Sequence, residues 1–144
     1  MSETDLNDPN TPILIVDDSL QYSQVLTKIL KHGFGYADIT SVACLEDAET
    51  LVQDAPERFK LFFVDYNLPN GETGGSFLRT LKEKQILEEA IAFLITSEPT
   101  VDNMQEARNA GALGVVAKPF DRTELERQLQ KAQRAVMQRT VECF

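Results

Sequence analysis

Three aspartates, a threonine and a lysine stand directly after short apolar runs. Asp17 and Asp18 follow ILIV (13–16), Asp65 follows LFFV (61–64), Thr96 follows IAFLI (91–95) and Lys118 follows GVVA (114–117). Continuous apolar runs of this length fit strands covered on both faces. In open sheets of parallel strands, ligands bind outside the carboxyl ends. If the runs are neighbours in such a sheet, three carboxylates, one hydroxyl and one ammonium converge on a single edge. Crowded carboxylates stay ionised cheaply only with a cation among them, and an all-oxygen set with room for water suits Mg²⁺ or Mn²⁺. Metal and Lys118 together would attract a dianion such as a phosphoryl group. Thr96 would donate a hydrogen bond to it, and Asp65, aimed from a rigid strand, would attack its phosphorus to give an aspartyl phosphate.

Taken singly, each residue has a plainer explanation. An Asp pair commonly just starts a helix, Lys-Pro commonly just makes a turn, and a Thr after a strand usually does nothing. Their order and shared placement carry the argument for chemistry.

The elements between the runs must bring them side by side. Residues 19–31 read as a helix with Tyr22, Val25, Leu26 and Ile29 on one buried face, stopped by Gly33 and Gly35. A further strand is expected at 38–42, and helices at 45–53, from Ser76 to about 84, and over 101–109. Asp121 and Glu124 suggest a capping box for a last helix. Strand and helix alternate five times, which predicts a doubly wound α/β fold, a five-stranded parallel sheet covered by helices on both faces. Residues 1–10 read as a flexible lead-in, 11–137 as the domain, and 138–144 as a fraying helix end or a linker to an output domain.

With 144 residues, the chain is long enough for one domain with a real core. A net charge of −9 opposes direct binding to nucleic acid or anionic lipid, which reward basic patches. Cys44 and Cys143 form no CxxC pair, so two reduced thiols are expected. No apolar run is long enough to cross a bilayer and the first residues are acidic, so a cytoplasmic location is expected.

The residues at the strand ends, VDDS with Asp17 and Asp18, VDYNLP around Asp65, ITSE with Thr96 and GALGVVAKPF with Lys118, resemble a receiver domain of the two-component response regulator family. The layout is close to that of the stand-alone chemotaxis regulator, and the likeness covers roughly residues 11–129. The resemblance implies a flavodoxin-like fold with strand order 2-1-3-4-5. It also implies that Asp65 is the phosphoacceptor for a histidine kinase or histidine phosphotransfer protein. Asp17, Asp18, Asp65 and the backbone carbonyl of Asn67 would surround Mg²⁺, with Asp17 acting through water. Lys118 would pair with the phosphoryl oxygens, Thr96 would swing toward them, and the bond before Pro119 would be cis. Asn67 and Glu98 would tune hydrolysis of the aspartyl phosphate, and the output would be altered binding of a protein partner.

Two departures stand out. Where the family usually carries an aromatic switch residue, this chain has Val115, whose branched side chain has no ring to swing. The loop after Asp65 is slightly long, with Asn70-Gly71 as a tight turn and Gly74-Gly75 adding freedom. In the tail, Leu125, Leu129, Ala132, Val136 and Cys143 make a short heptad seam, which suits either packing on the sheet or a homodimer through the C-terminal helix.

Two other functions compete with a phosphorylation switch. A degenerate receiver would bind its partner constitutively, a reading that Val115 favours. A phosphatase with an aspartyl-phosphate intermediate would commonly carry an acid two residues after the nucleophile, where this chain has Asn67. The only catalysis expected is self-phosphotransfer and autodephosphorylation.

Overall fold

Apolar runs separated by amphipathic stretches produce a layered α/β architecture in the computed structural model, which describes residues 6–142. Five strands, β1 (Ile13–Val16), β2 (Ile39–Val42), β3 (Leu61–Asp65), β4 (Ile91–Thr96) and β5 (Gly114–Ala117), alternate with five helices. These are α1 (Leu20–Lys28), α2 (Leu45–Asp54), α3 (Gly74–Glu83), α4 (Val101–Ala110) and α5 (Arg122–Glu142). All strand pairs are parallel and the order is β2-β1-β3-β4-β5, as the alternation and the resemblance led us to expect.

Every residue of β1, β3 and β4 is buried, whereas the edge strands β2 and β5 are mostly half-buried. Successive strand side chains point to opposite faces, and the core divides accordingly. Leu14, Val16, Phe62, Val64 and Leu94 join the layer under α2, α3 and α4. Ile13, Ile15, Leu61, Phe63, Phe93 and Val116 join the layer under α1 and α5. Register then aligns the strand ends: Val16 lies beside Val64, Asp65 beside Ile95, and Thr96 beside Ala117. The residues that follow β1 and β5, or close β3 and β4, therefore share one edge.

Three helical details correct the sequence reading. First, α1 stops being α-helical at Lys28 and continues as one π turn over Ile29–Gly33. Its buried positions are Ser23 and Leu26, with Leu30 following in the π turn, while Val25 is 40% exposed. Ser23 can occupy that face because its hydroxyl donates to the Ser19 carbonyl at 2.8 Å. Second, Asp121 caps α5 by accepting the Glu124 N–H at 2.9 Å, but the reciprocal half of a capping box is replaced by other bonds. The Glu124 carboxylate pairs with Arg127 and accepts from Gln128 Nε2 instead. Third, Gly74 and Gly75 are buried in the first turn of α3 and so do not loosen the loop.

The lead-in expected over residues 1–10 is also corrected for its second half. Leu6 is buried in the α1/α5 layer, its carbonyl accepts from the Tyr36 hydroxyl, and the Ala37 N–H donates to the Pro9 carbonyl at 2.8 Å. Residues 1–5 lie outside the described residues, as does Cys143. Through Val136 the heptad seam faces inward: Leu125, Leu129, Ala132 and Val136 are all buried against the sheet. A dimer built on α5 would have to use another face of the helix. Among the described residues, no helix is long and apolar enough to cross a membrane.

The inward seam makes a direct prediction. Leu129→Ala should lower unfolding free energy by about 2–4 kcal/mol, the usual cost of emptying a buried leucine site. Met137→Ala, at a position 60% exposed, should change it by less than about 0.5 kcal/mol. Denaturant melts of the two variants decide the matter, and equal losses would contradict the packing of α5.

Candidate functional site

The edge of the sheet gathers its polar residues through backbone bonds. The Asp17 N–H donates to the Val42 carbonyl at 3.1 Å, continuing the β1–β2 ladder one residue past β1. Ser19 then caps α1, and its own N–H donates to Asp17 Oδ1 at 2.9 Å. The Tyr66 N–H donates to the Ile95 carbonyl and the Lys118 N–H to the Thr96 carbonyl, each at 2.8 Å. The Lys118-Pro119 peptide is cis.

Side chains then meet above this edge. Lys118 Nζ lies 3.1 Å from Asp17 Oδ2 and 3.4 Å from Asp65 Oδ2. Asp17 and Asp65 are only 3% and 6% exposed, whereas Asp18 is exposed at the rim. One oxygen from each of Asp17, Asp18 and Asp65 falls within 4.8 Å of the others, a set that could hold a metal ion. Loss of water and the adjacent Asp17 carboxylate push Asp65 up from 3.8 to about 6, and Lys118 only partly opposes them. A single ammonium does not balance these carboxylates, so the donor set fits a divalent cation with oxygen ligands.

Asn67 is exposed and forms a lone antiparallel bridge with Thr73. The bonds of that bridge are made by its neighbours, Gly74 N–H to the Tyr66 carbonyl at 2.8 Å and Leu68 N–H to the Glu72 carbonyl at 3.1 Å. Neither backbone group of Asn67 is used in them, which leaves its carbonyl free for a further ligand. The turn at the tip has positive φ at both Asn70 and Gly71, and the Glu72 N–H closes onto the Pro69 carbonyl at 3.4 Å, as an Asn-Gly hairpin turn requires.

Gly74 fixes how closely α3 approaches the site. A Cβ there would lie 2.3 Å from the Asp65 carbonyl oxygen and 2.9 Å from Leu94 Cδ1. Any larger residue must push α3 away from β3.

The remaining sequence candidates stand further back. Thr96 is buried and its hydroxyl accepts the Glu98 N–H at 3.0 Å. Glu98 is exposed, and its carbonyl accepts from Thr100 N–H at 2.8 Å and Asn103 Nδ2 at 2.9 Å, tying the loop to the start of α4. Val115 is half-buried and packs on the α2–α4 layer.

Two tyrosines escaped the sequence reading as site residues. The Tyr66 hydroxyl donates to Glu106 Oε2 on α4 at 3.1 Å, and burial together with that carboxylate raises its pKa. The apolar period places Tyr22 on the buried face of α1, yet its ring lies 4.3 Å from Lys118 Nζ. The available signal was position: one is the neighbour of Asp65, the other sits in the first turn after the Asp pair.

A parallel sheet in this order, with an acidic trio and a lysine at its carboxyl edge, defines the receiver class of α/β domain. The sequence profile of the response regulator receiver domain matches residues 13–130, and the chain belongs to that family. It is 31% identical over 121 residues to the chemotaxis protein CheY of Pseudomonas aeruginosa, covering 83% of this chain and 93% of that protein. It is 34% identical over 121 residues to the transcriptional regulatory protein ZraR of Salmonella typhimurium, covering 83% of this chain but only 26% of that protein. The chain thus spans about a quarter of the length of that transcriptional relative. Among solved structures, chemotaxis response regulator CheY4 of Vibrio cholerae superposes with a TM-score of 0.74 at 26% identity, over 85% of this chain and 98% of that one.

The crowding at Asp65 sets a stability test in the metal-free protein. Because the folded state holds the Asp65 proton to about pH 6 while the unfolded chain loses it near 3.8, wild-type stability falls as pH rises through that window and is level above it. Asp65→Asn lacks this penalty. With EDTA at pH 7.5 it should be more stable than wild type by about 1–2 kcal/mol, after allowing for screening at the open end of the sheet. The gap should vanish near pH 3.5, and a wild type as stable as the variant at both pH values would refute the account. Gly74→Ala should lower the thermal midpoint, read by melting, and an unchanged midpoint would contradict the close approach.

Proposed function

We propose that this chain is a phosphorylatable signalling switch in which Asp65 accepts a phosphoryl group from a histidine kinase or histidine phosphotransfer protein. The observation that carries the reading is the Lys118 ammonium seated between Asp17 and Asp65 at the end of the central strands. Asp17, Asp18, Asp65 and the Asn67 carbonyl would hold Mg²⁺. That ion would neutralise charge on the transferring group. Asp65 supplies the attacking oxygen from a backbone fixed by β1 and β4 on either side. Lys118 balances the phosphoryl oxygens, and Thr96, by releasing the Glu98 N–H, can turn its hydroxyl to them. Because Thr96 bonds the Glu98 backbone, such a turn would loosen the loop that leads into α4, and a change there would alter binding of a downstream protein. Asn67 and Glu98, exposed at the rim, would set how readily water reaches the aspartyl phosphate.

Nothing in this role needs a substrate turned over in bulk. The catalysis is self-phosphotransfer and autodephosphorylation, and the chain would work in the cytoplasm, where kinase and phosphotransfer partners are found. Val115 favours a second reading, a degenerate receiver that binds its partner without phosphorylation. The complete set of Asp17, Asp18, Asp65, Thr96 and Lys118 supports the first.

Incubation with Mg²⁺ and acetyl phosphate should add one phosphoryl group per chain, located on Asp65 by tandem mass spectrometry. Asp65→Asn and EDTA should each abolish it. Labelling that persists in Asp65→Asn, or no labelling of wild type, would overturn the proposal.

A further inference from the structure

No function assigned so far uses Tyr22. Its ring is 4.3 Å from Lys118 Nζ and is itself braced by the Phe120 ring, 5.9 Å away at 45°. The ammonium is therefore held from three directions, by Asp17 at 3.1 Å, Asp65 at 3.4 Å and the aromatic face. A lysine stem has many rotamers to lose when it is fixed. An aromatic face attracts a cation more strongly as water is removed, and the Lys118 side chain is only 9% exposed. Leucine would fill much of the same space without that attraction.

We propose that Tyr22 is a positioning residue for phosphoryl transfer, holding the Lys118 ammonium beside Asp65 through a cation–π contact. The inference rests on Asp65 being the phosphoacceptor. In transfer from acetyl phosphate, an Asp65 carboxylate oxygen forms the new O–P bond as the bond from phosphorus to the acetyl oxygen breaks. Acetate leaves with the electron pair, and no proton has to move. The charge on the phosphoryl oxygens must meet the ammonium at that moment. The ring contact is separate from both carboxylate contacts, so it persists when phosphoryl oxygens replace one of them. Tyr22 thus acts through Lys118 and touches no reacting atom.

The test compares wild type, Tyr22→Phe, Tyr22→Leu, Lys118→Ala and the Tyr22→Leu/Lys118→Ala double variant. Asp65 labelling from acetyl phosphate at saturating Mg²⁺ is followed by mass spectrometry for long enough to measure the slow variants. Tyr22→Phe should stay within about twofold of wild type, because its ring keeps the attraction. Tyr22→Leu should slow the maximal rate about threefold to tenfold, with little change in the half-saturating acetyl phosphate concentration. In the Lys118→Ala background, Tyr22→Leu should have no further effect. NMR should show the Lys118 ε-methylene protons shifted upfield by the ring in wild type and Tyr22→Phe, and not in Tyr22→Leu. A Tyr22→Leu rate equal to wild type overturns the proposal. So do equal losses in Phe and Leu, or an unchanged Leu effect without Lys118. If wild type itself is never labelled, the phosphoacceptor reading has failed, a result distinct from labelled wild type with an indifferent Tyr22.

Discussion

Two carboxylates buried side by side with one ammonium between them set the terms for the rest of this structure. Asp17 and Asp65 are 3% and 6% exposed, and Lys118 is the only side-chain cation paired with either among the described residues. Asp17 gains some relief from the Ser19 N–H. Asp65 gains less, and its carboxyl is pushed up to about 6 by burial and by Asp17. A site left short of positive charge in this way favours any arrangement that brings a cation to it. The same imbalance that costs stability fits the edge to hold a metal ion, and in the proposed function a phosphoryl group would follow it.

Keeping that arrangement rigid falls to the sheet. β1, β3 and β4 are buried at every position, so the ends of the strands carrying Asp17, Asp65 and Thr96 have little room to shift. The bare Cα of Gly74 lets α3 close on the Asp65 carbonyl, and the Thr96 carbonyl anchors the Lys118 backbone. Tyr66 reaches Glu106 on α4, and Thr96 reaches the Glu98 backbone, so both links from the site run toward the start and middle of one helix. Val115 has no ring to swing, and these polar links are connections from the site to α4 that the geometry offers.

The fold was legible because its signals are local. Short runs such as ILIV and IAFLI fit strands covered on both faces, and the helices between them carry apolar stripes of the right period. The polar residues at the strand ends were legible for the same reason, since a parallel sheet puts all its carboxyl ends on one edge. Features that depend on neighbours distant in sequence were not. Whether Gly74 serves as a hinge or a close contact depends on β3, and only the packed structure brings the Asp65 carbonyl against it. The pairing of Tyr22 with Lys118 joins residues almost a hundred apart, and the π turn after Lys28 leaves no mark in the apolar period. Leu6 read as part of a polar lead-in because a single leucine among acids has no periodicity to reveal that it docks.

The central claim, that the charge imbalance at Asp17 and Asp65 is completed by a metal ion and a phosphoryl group, is tested most directly by NMR titration with Mg²⁺ and then beryllofluoride, a mimic of the phosphoryl group. Saturation at one equivalent of each per chain is expected, with the largest amide shifts at Asp17, Asp65, Thr96 and Lys118 and a weaker set reaching α4. Shifts that do not saturate, or that centre away from this edge, would contradict it.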